Sequence, residues 1–254
     1  MITLRTGADL DRLRAAGRLT AQVRTLAGNL VKPGVSTKQI EREIRGFIKA
    51  HGAKASFLDE GFPGAACISI NDVVIHGIPG SRILHEGDIV SIDVGACLHG
   101  FHGDCAATFA VGTVAPEHQA LIDDTRESFF RAFEVIRHGC RVRDIGAAVQ
   151  TFAESKGYGV VKDYCGHGVG RKLHEDPEIP NYVDTVPAEV HKGRVRLLAG
   201  MVIAVEPMLN LGTAETVVDP DKWTVRTKDG KYSAHYENTV LITAAGPEIL
   251  TVDV

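Results

Sequence analysis

The chain has 254 residues and a formal net charge of −4, from 28 basic and 32 acidic side chains. At roughly 150 residues per domain, this length predicts one large domain or two small ones, either long enough to bury a core without disulfides. A hydrophobic content of 44% and a charged content of 24% exclude a disordered, collagen-like or coiled-coil protein, and the acidic balance argues against a specific nucleic-acid binder.

The cysteines and the apolar runs indicate the cellular compartment. Five cysteines without a CxxC spacing do not resemble a secreted disulfide framework, which would be even in number and denser. They predict reduced thiols and a cytoplasmic protein. The longest apolar run, 197–205, is far shorter than the ~18 residues that span a bilayer, and the N-terminus lacks the apolar core of a signal peptide. We therefore expect no membrane association.

The first half of the chain predicts two helices followed by short strands. Apolar residues at helical spacing indicate an amphipathic helix over 8–30. Ser36, with Gln39 three residues later, forms a capping-box pattern that begins a second helix to about residue 50. Strands are predicted at 66–70, 73–75, 88–98 and 105–111, the last two joined as a hairpin by a short loop that contains glycine.

The second half follows the same plan. It predicts helices over 118–137 and 143–155, and strands near 158–164, 201–209, 223–228 and 235–243. Four pairs of equivalent residues share an offset of 105: Gly34 and Gly139, Ile40 and Ile145, Phe47 and Phe152, Gly52 and Gly157. This offset favours an internal duplication, with one catalytic domain over 1–254 made of pseudo-repeats at roughly 1–115 and 116–254. The alternative is that any two helical hairpins share a glycine turn and an apolar stripe.

Two aspartates flank the predicted hairpin turn. With Leu98 and His99 at its centre, Asp93 and Asp104 face each other across the strand ladder, where Cβ atoms are ~4.5–5.5 Å apart. Two carboxylates at that distance repel, so a cation lies between them or one of them holds a proton. A metal ion satisfies this condition. Alternatively, each aspartate caps a turn or pairs with an arginine.

A glycine-rich segment presents a histidine. His167 lies in Cys-Gly-His-Gly-Val-Gly, where flanking glycines expose the side chain and allow a ligand to approach the backbone. His174 follows seven residues later. The segment lacks the lysine and hydroxyl residue of a phosphate-binding P-loop. The alternative is a histidine on a surface loop.

Two glutamates occupy strand positions, where glutamate is uncommon. Glu206 ends the apolar run before Pro207, and Glu237 lies in His-Tyr-Glu-Asn-Thr. Each could lie on a solvent-exposed strand face. Together with the two aspartates and His167, however, they form an oxygen-rich ligand set that suits Mn²⁺, Fe²⁺, Co²⁺ or Zn²⁺. Carboxylates that bridge two ions ~3.5–4 Å apart are typical of hydrolases, and His76 before a turn is a further candidate.

These segments resemble the methionine aminopeptidase family in order and in context. Val-Lys-Pro-Gly-Val-Ser-Thr, Cys-Ile-Ser-Ile-Asn, His-Gly-Ile-Pro and Trp-Thr-Val-Arg-Thr-Lys-Asp are also similar to that family, and the resemblance covers about 5–252. It implies an α+β pita-bread fold, in which a curved antiparallel sheet with pseudo-twofold symmetry is backed by helices. It further implies the short, type I form, because no long insertion separates His174 from Glu206.

The resemblance also implies residue roles. Asp93 binds one divalent ion, His167 and Glu206 bind the other, and Asp104 and Glu237 bridge both. Water held at the ions attacks the first peptide carbonyl, with Glu206 as general base and proton shuttle. The implied roles of the remaining histidines are stabilisation of the oxyanion by His174 and contact with the scissile nitrogen by His76.

The expected substrate is the N-terminal methionine of nascent proteins and peptides, with a small second residue. The predicted pocket consists of Phe57, Phe62, Cys67 and Trp223, with His76 and Leu173 nearby; Phe57 and Phe62 could instead be ordinary core. Asn71, Val73 and Ser233 match positions that hold a monovalent cation in the family. We expect a monomer, with contact to the ribosome surface as a further possibility.

Some positions depart from the family pattern. The segment 56–62 is a residue short and lacks a tyrosine, Leu173 stands in place of phenylalanine, Cys105 in place of threonine or serine, and Asn238 in place of histidine. These departures concern pocket shape and rate rather than ligands. Two alternatives stay open: a proline-directed aminopeptidase or dipeptidase of the same fold, and a non-catalytic binding homologue.

Overall fold

The computed structural model describes residues 2–183 and 192–253. The predicted domain also includes 184–191, which lie outside the described residues. Over the described ranges the helices are α1 (Ala8–Leu30), α2 (Thr37–Ala50), α3 (Ser56–Asp59), α4 (Pro116–Val135) and α5 (Val142–Ser155), with a 3₁₀ turn at Lys192–Arg194. The four long helices confirm the predictions to within two residues at each end.

The strands of the described residues form four small antiparallel sheets. In chain order they are β1 (Lys54–Ala55), β2 (Ala66–Ile70), β3 (Val73–Ile75), β4 (Ile89–Leu98), β5 (Phe101–Ala110), β6 (Gly159–Val160), β7 (Gly166–Gly168), β8 (Glu175–Ile179), β9 (Val202–Val205), β10 (Met208–Asn210), β11 (Thr216–Val218), β12 (Val225–Thr227), β13 (Ser233–His235), β14 (Asn238–Ile242) and β15 (Pro247–Ile249). β4 pairs with β1, β2 and β5; the other sheets run β13-β10-β6, β11-β12-β3 and β15-β14-β9-β7-β8.

Each half of the chain has its own apolar core between helices and sheet. In the first half, Ile40 and Ile44 of α2 pack with Ile68 of β2 and Ile92 of β4. In the second half, α4 and α5 pack on β9 and β14 through a separate cluster of buried side chains. A third cluster joins the halves, because α1 contacts β9 and β14 as well as its own sheet. The helices therefore back the sheets on both halves.

The two helical hairpins correspond residue by residue. α2 and α5 each have 14 residues and begin 105 positions apart. Gly34 donates its N–H to the Leu84 carbonyl at 2.8 Å, and Gly139 donates to the Leu197 carbonyl at 2.7 Å. Both glycines adopt nearly the same positive φ, 87° and 88°. The duplication within a single domain stays a prediction that this correspondence supports.

The first predicted helix cap is present. Ser36 Oγ accepts the Gln39 N–H at 3.2 Å, and Gln39 Oε1 accepts the Ser36 N–H at 2.8 Å. This reciprocal pair satisfies two backbone donors that the first turn of a helix leaves open. It fixes the start of α2.

The hairpin turn is one residue later than predicted. His99 and Gly100 form the two-residue loop, and both have positive φ, at 53° and 77°. Such loops require positive φ at both central residues, which glycine adopts readily and leucine does not. Asp93 is therefore paired with Ala106 and Asp104 with Gly95. The direct pairing of the two aspartates is wrong; they are diagonal neighbours on the same face of the sheet.

Two strands predicted as continuous are each broken at a glutamate. The strand predicted at 201–209 divides into β9 and β10 around Glu206 and Pro207, because proline has no N–H to continue the ladder. The strand predicted at 235–243 divides into β13 and β14 around Glu237. At both breaks the chain leaves one sheet and enters another. Glu206 and Glu237 therefore lie at corners between sheets.

Hydrogen bonds across the halves bring β5 to one of these corners. Thr239 Oγ1 accepts the Asp104 N–H at 3.0 Å and donates to the Asp104 carbonyl at 2.8 Å. Glu237 and Ala106 exchange backbone hydrogen bonds at 3.0 and 3.3 Å. The first half of the chain thus delivers Asp104 to the position of Glu237.

Among the described residues, none of the helices has the length and apolar composition needed to cross a membrane. Over the same residues, no disulfide joins the five cysteines.

Candidate metal centre

A cavity of about 170 Å³ lies where the two halves meet. All five predicted metal ligands line it: Asp93, Asp104, His167, Glu206 and Glu237. They are supplied by β4, β5, β7 and the two corners beside β9 and β14. The predicted pocket residues line the same cavity, together with both additional histidines: Phe57, Phe62, Cys67, Trp223, His76 and His174.

The ligand atoms converge. His167 Nε2 lies 3.6 Å from Asp104 Oδ2 and 3.6 Å from Glu206 Oε1. One ligand atom from each of Asp104, His167 and Glu237 lies within 4.8 Å of the others. These separations leave room for a cation between the groups, and none of them is a hydrogen bond.

The backbone fixes which nitrogen of His167 faces the cluster. Its Nδ1 is 2.9 Å from the Gly168 carbonyl oxygen, which can only accept a hydrogen bond, so Nδ1 carries the proton. The lone pair of Nε2 then points at the carboxylates, as metal-binding histidines require. The neighbouring glycines are needed here, since a Cβ on Gly166 would be 2.3 Å from the Ala204 carbonyl oxygen.

Burial makes the charged forms of these carboxylates unfavourable when no cation is bound. Burial raises the pKa of Asp93 to about 7. Burial and the repulsion of neighbouring carboxylates raise the pKa of the other three acids, Asp104, Glu206 and Glu237, well above their usual range. Burial also lowers the pKa of His167 to about 3, which keeps it in the neutral form that binds metals.

The donor set fits a divalent cation. One buried oxygen each of Asp93, Asp104 and Glu237 has no hydrogen-bond partner among the described residues. No lysine or arginine is among the described residues that line the cavity. Buried carboxylates are ordinarily paired or coordinate metals, and four carboxylates with one imidazole suit the borderline divalent ions.

The two histidines beyond the cluster differ in exposure. His76 is half-buried, with φ of 56°, and its ring is edge-on to Tyr164 at 5.7 Å and to Trp223 at 6.3 Å. Burial lowers its pKa to about 4. His174 is exposed at the mouth of the cavity, 4.3 Å from the His167 ring between centroids. Its Nδ1 lies 3.7 Å from Glu60 Oε2.

The apolar end of the cavity is a compact cluster. Phe57, Phe62, Cys67 and Leu173 are all buried there, with Trp223 packed against them. The Phe62 ring is edge-on to Trp223 at 5.4 Å between centroids. Burial raises the pKa of the Cys67 thiol well above its usual range, so this group is an apolar lining rather than a nucleophile. Leu173 is not among the described residues that line the cavity, and it packs behind those that do.

Two of the departures have local explanations. Asn238 Oδ1 accepts hydrogen bonds from Arg24 Nη1 at 2.9 Å and from Thr251 Oγ1 at 2.8 Å, so an acceptor is needed at this position. Cys105 is buried in the first core, and its Sγ lies 3.6 Å from the Thr20 carbonyl oxygen. Neither side chain faces the cavity.

The candidate monovalent site is formed in part. Ser233 N–H donates to the Asn71 carbonyl at 2.8 Å, which brings these two residues together, and Val73 begins β3 two residues along. The Asn71 side chain donates a hydrogen bond to Asp88 Oδ1 and accepts one from the Ile89 N–H. Cation binding here stays a prediction.

Sequence reasoning missed five of the described residues at the site. Glu60, Ile75, Tyr164 and Cys165 line the cavity, and His235 Nε2 lies 3.8 Å from Glu206 Oε2. His235 was visible in the sequence two positions before Glu237, but its side chain was not expected to reach Glu206. The only signal was a histidine at the start of a predicted strand.

The fold and this buried cluster define a class of protein, and comparison with known sequences agrees. The sequence matches metallopeptidase family M24 over residues 11–244, and the chain belongs to this family. Membership implies that the protein is a peptidase that binds divalent metal.

Full-length relatives within the family include methionine aminopeptidases, and the predicted membership of the methionine aminopeptidase family is confirmed. The chain is 48% identical over 254 residues to a methionine aminopeptidase of Clostridium perfringens, covering 99% of each chain. The crystal structure of methionine aminopeptidase from Rickettsia prowazekii matches with a TM-score of 0.94 at 40% identity, covering 99% of this chain and 100% of that one. The prediction of an α+β pita-bread fold is confirmed.

The fold is also similar to that of a proline-directed enzyme. A prolidase from Pyrococcus furiosus matches with a TM-score of 0.78 at 22% identity, covering 99% of this chain but 66% of the prolidase.

Proposed function

We propose that this protein removes the N-terminal methionine from polypeptides whose second residue is small. The observation that carries the proposal is the joint lining of one cavity: an apolar cluster of Phe62, Cys67 and Trp223 opens onto the buried carboxylates. Aromatic faces and a thiol suit a flexible thioether side chain. The full-length similarity to methionine aminopeptidases favours the same substrate.

Two divalent ions would be held by the five converging residues. Asp93 would bind one ion, His167 and Glu206 the other, and Asp104 and Glu237 would bridge them. Such ions would lower the pKa of a water and polarise a peptide carbonyl. The ligand types accept cobalt, manganese, iron or zinc, and supply in the cell decides among them.

The side chains around the ligands would manage protons and charge. Glu206 would take the proton from the attacking water and deliver it to the leaving nitrogen, because its carboxylate lines the cavity beside the other ligands, 3.6 Å from His167 Nε2, where it can reach both an ion and its water. His174, exposed at the mouth, would donate a hydrogen bond to the carbonyl oxygen as negative charge develops there. His76, half-buried beside Trp223, would contact the scissile nitrogen and the second residue.

The cellular setting follows from the same substrate. Nascent chains present N-terminal methionine, so we place the protein in the cytoplasm as a monomer that acts at or near the ribosome surface. We also propose that it is of the short, type I form.

A direct peptide assay tests the proposal. Metal-reconstituted protein is incubated with Met-Ala-Ser and with an X-Pro peptide, and released amino acids are measured. Methionine release alone is expected. Cleavage of the X-Pro peptide alone would replace the proposal with the proline-directed function, which the shared prolidase fold makes the second candidate. The absence of both activities would favour a non-catalytic binding homologue.

Two variants assign the roles. Asp104→Asn should abolish turnover and lower the metal content while the circular dichroism spectrum stays unchanged; near-normal activity would contradict the ligand assignment. His174→Ala should lower kcat without a change in metal content. Asp123→Asn on α4, far along the chain from the cavity lining, is the control for a lost carboxylate.

A further inference from the structure

His235 is a buried histidine that the proposed chemistry leaves without a role. It is the last residue of β13 and its side chain is 2% exposed. Its Nε2 is buried and has no hydrogen-bond partner among the described residues. The charged group in reach of that nitrogen is Glu206, whose Oε2 lies 3.8 Å away. Buried polar atoms in native proteins ordinarily have a hydrogen-bond partner.

The backbone holds His235 firmly. Its N–H donates to Thr108 Oγ1 at 2.9 Å, and its carbonyl accepts from the same hydroxyl at 2.9 Å. Across the sheet it is paired with Met208, two residues after Glu206. The ring is therefore fixed at the corner where Glu206 leaves β9. The distance between His235 Nε2 and Glu206 Oε2 therefore changes through small movements of the Glu206 side chain and not of the backbone.

Glu206 lies between two histidines, one on each oxygen. Its Oε1 is 3.6 Å from His167 Nε2, which carries no proton, while its Oε2 faces His235. A neutral imidazole holds one proton, which it can carry on Nε2. With that proton on Nε2, closing the gap to a hydrogen bond of about 3 Å requires a movement of under an ångström.

We propose that His235 is a positioning residue: its Nε2–H donates to Glu206 Oε2 and directs Oε1 toward the cavity. This inference rests on the proposed function, because it assigns Glu206 to the site. Carboxylates that bind metals are themselves held by hydrogen bonds, and loss of such a partner commonly weakens metal binding or activity by about 10- to 100-fold. All five proposed ligands line the cavity and His235 is not among the described residues that line it, which speaks against a sixth ligand.

The test compares three substitutions at His235. His235→Leu removes the donor, His235→Gln keeps an N–H donor at similar reach, and His235→Asn has an amide too short to reach Glu206. His102→Leu is the control for burying leucine in place of histidine, because His102 bonds Ser56 instead of the cluster. Metal affinity of the stripped protein is measured by calorimetry, with its thermal midpoint and with kcat and KM after reconstitution.

His235→Leu should weaken metal binding and lower kcat by about 10- to 100-fold with KM little changed, while His235→Gln stays within about threefold of the parent. If the leucine variant does not fold, His235→Asn serves the same comparison. In a Glu206→Ala background, which removes the acceptor, His235→Leu should cause no additional loss of metal affinity. Unchanged metal affinity in His235→Leu, or an equal loss in the Glu206→Ala background, would overturn the inference.

The parent protein separates this result from the proposed function. If it binds metal but releases no methionine, the proposed function fails while the affinity comparison still tests His235.

Discussion

Replacement of Asp93 by asparagine should stabilise the metal-free protein at high pH. Burial raises the pKa of Asp93 from 3.8 to about 7, so between these values the folded chain holds a proton that the unfolded chain has lost. The stability from this group is therefore fully present below pH 3.8 and is lost as the pH rises through about 7. Asparagine is neutral throughout and has no such loss.

The size of the effect follows from that interval. About 3 pH units at about 1.4 kcal/mol each give about 4 kcal/mol, of which about 3 kcal/mol is lost between pH 5 and pH 8. Relative to the parent, the free energy of unfolding of Asp93→Asn should thus rise by up to about 3 kcal/mol between these pH values.

Urea unfolding with a chelator at pH 5 and pH 8 measures this change, followed by the fluorescence of the single tryptophan, Trp223. Asp253→Asn, an exposed position near the C-terminus, is the matched control. A divalent ion at 100 times its Kd should add about 2.7 kcal/mol to the parent at pH 8 and much less to Asp93→Asn. An equal difference between variant and parent at both pH values would refute the reasoning.

Further expectations concern packing and hydrogen bonds, each measured by urea unfolding. Gly166→Ala should lower the free energy of unfolding by about 1–3 kcal/mol and abolish most metal binding, because its Cβ would be 2.3 Å from the Ala204 carbonyl oxygen. Gly46→Ala, with open space around the added carbon in α2, should raise the free energy of unfolding by about 0.5–1 kcal/mol. The reverse order of stability would contradict both predictions. Leu173→Phe should lower the free energy of unfolding by about 1–3 kcal/mol, since the side chain is fully buried, and should raise KM for methionyl peptides by displacing the pocket residues packed against it. An unchanged KM would mean that Leu173 does not shape the pocket. Arg24→Met should cost about 2 kcal/mol, because the guanidinium bonds the Glu237 carbonyl at 3.1 Å; a loss below 0.5 kcal/mol would argue against that network.

The sequence predicted the long helices well because they depend on local patterns. The capping box at Ser36 and the apolar stripe of α1 are set within one segment, and so were readable. The identities of the five converging residues came from motif resemblance, and the cavity brings them together. Their roles as ligands stay a proposal.

What the sequence did not predict depends on contacts between distant segments. The hairpin register was displaced by one residue because the pattern at 98–100 did not identify which pair adopts positive φ. The breaks at Glu206 and Glu237 arise because neighbouring sheets diverge there, which no strand periodicity encodes. For the same reason His235, in another strand, was not linked to Glu206.

The corner positions of the glutamates also constrain the order of folding. Asp104 and Glu237 are 133 residues apart in sequence. The hydrogen bonds that hold them together, between Asp104 and Thr239 and between Ala106 and Glu237, form only when both halves have docked. Closing so long a loop is entropically costly, so this pairing belongs to the late steps of folding. The ion can therefore bind well only to the assembled chain, and metal uptake marks the completion of folding rather than guiding its start.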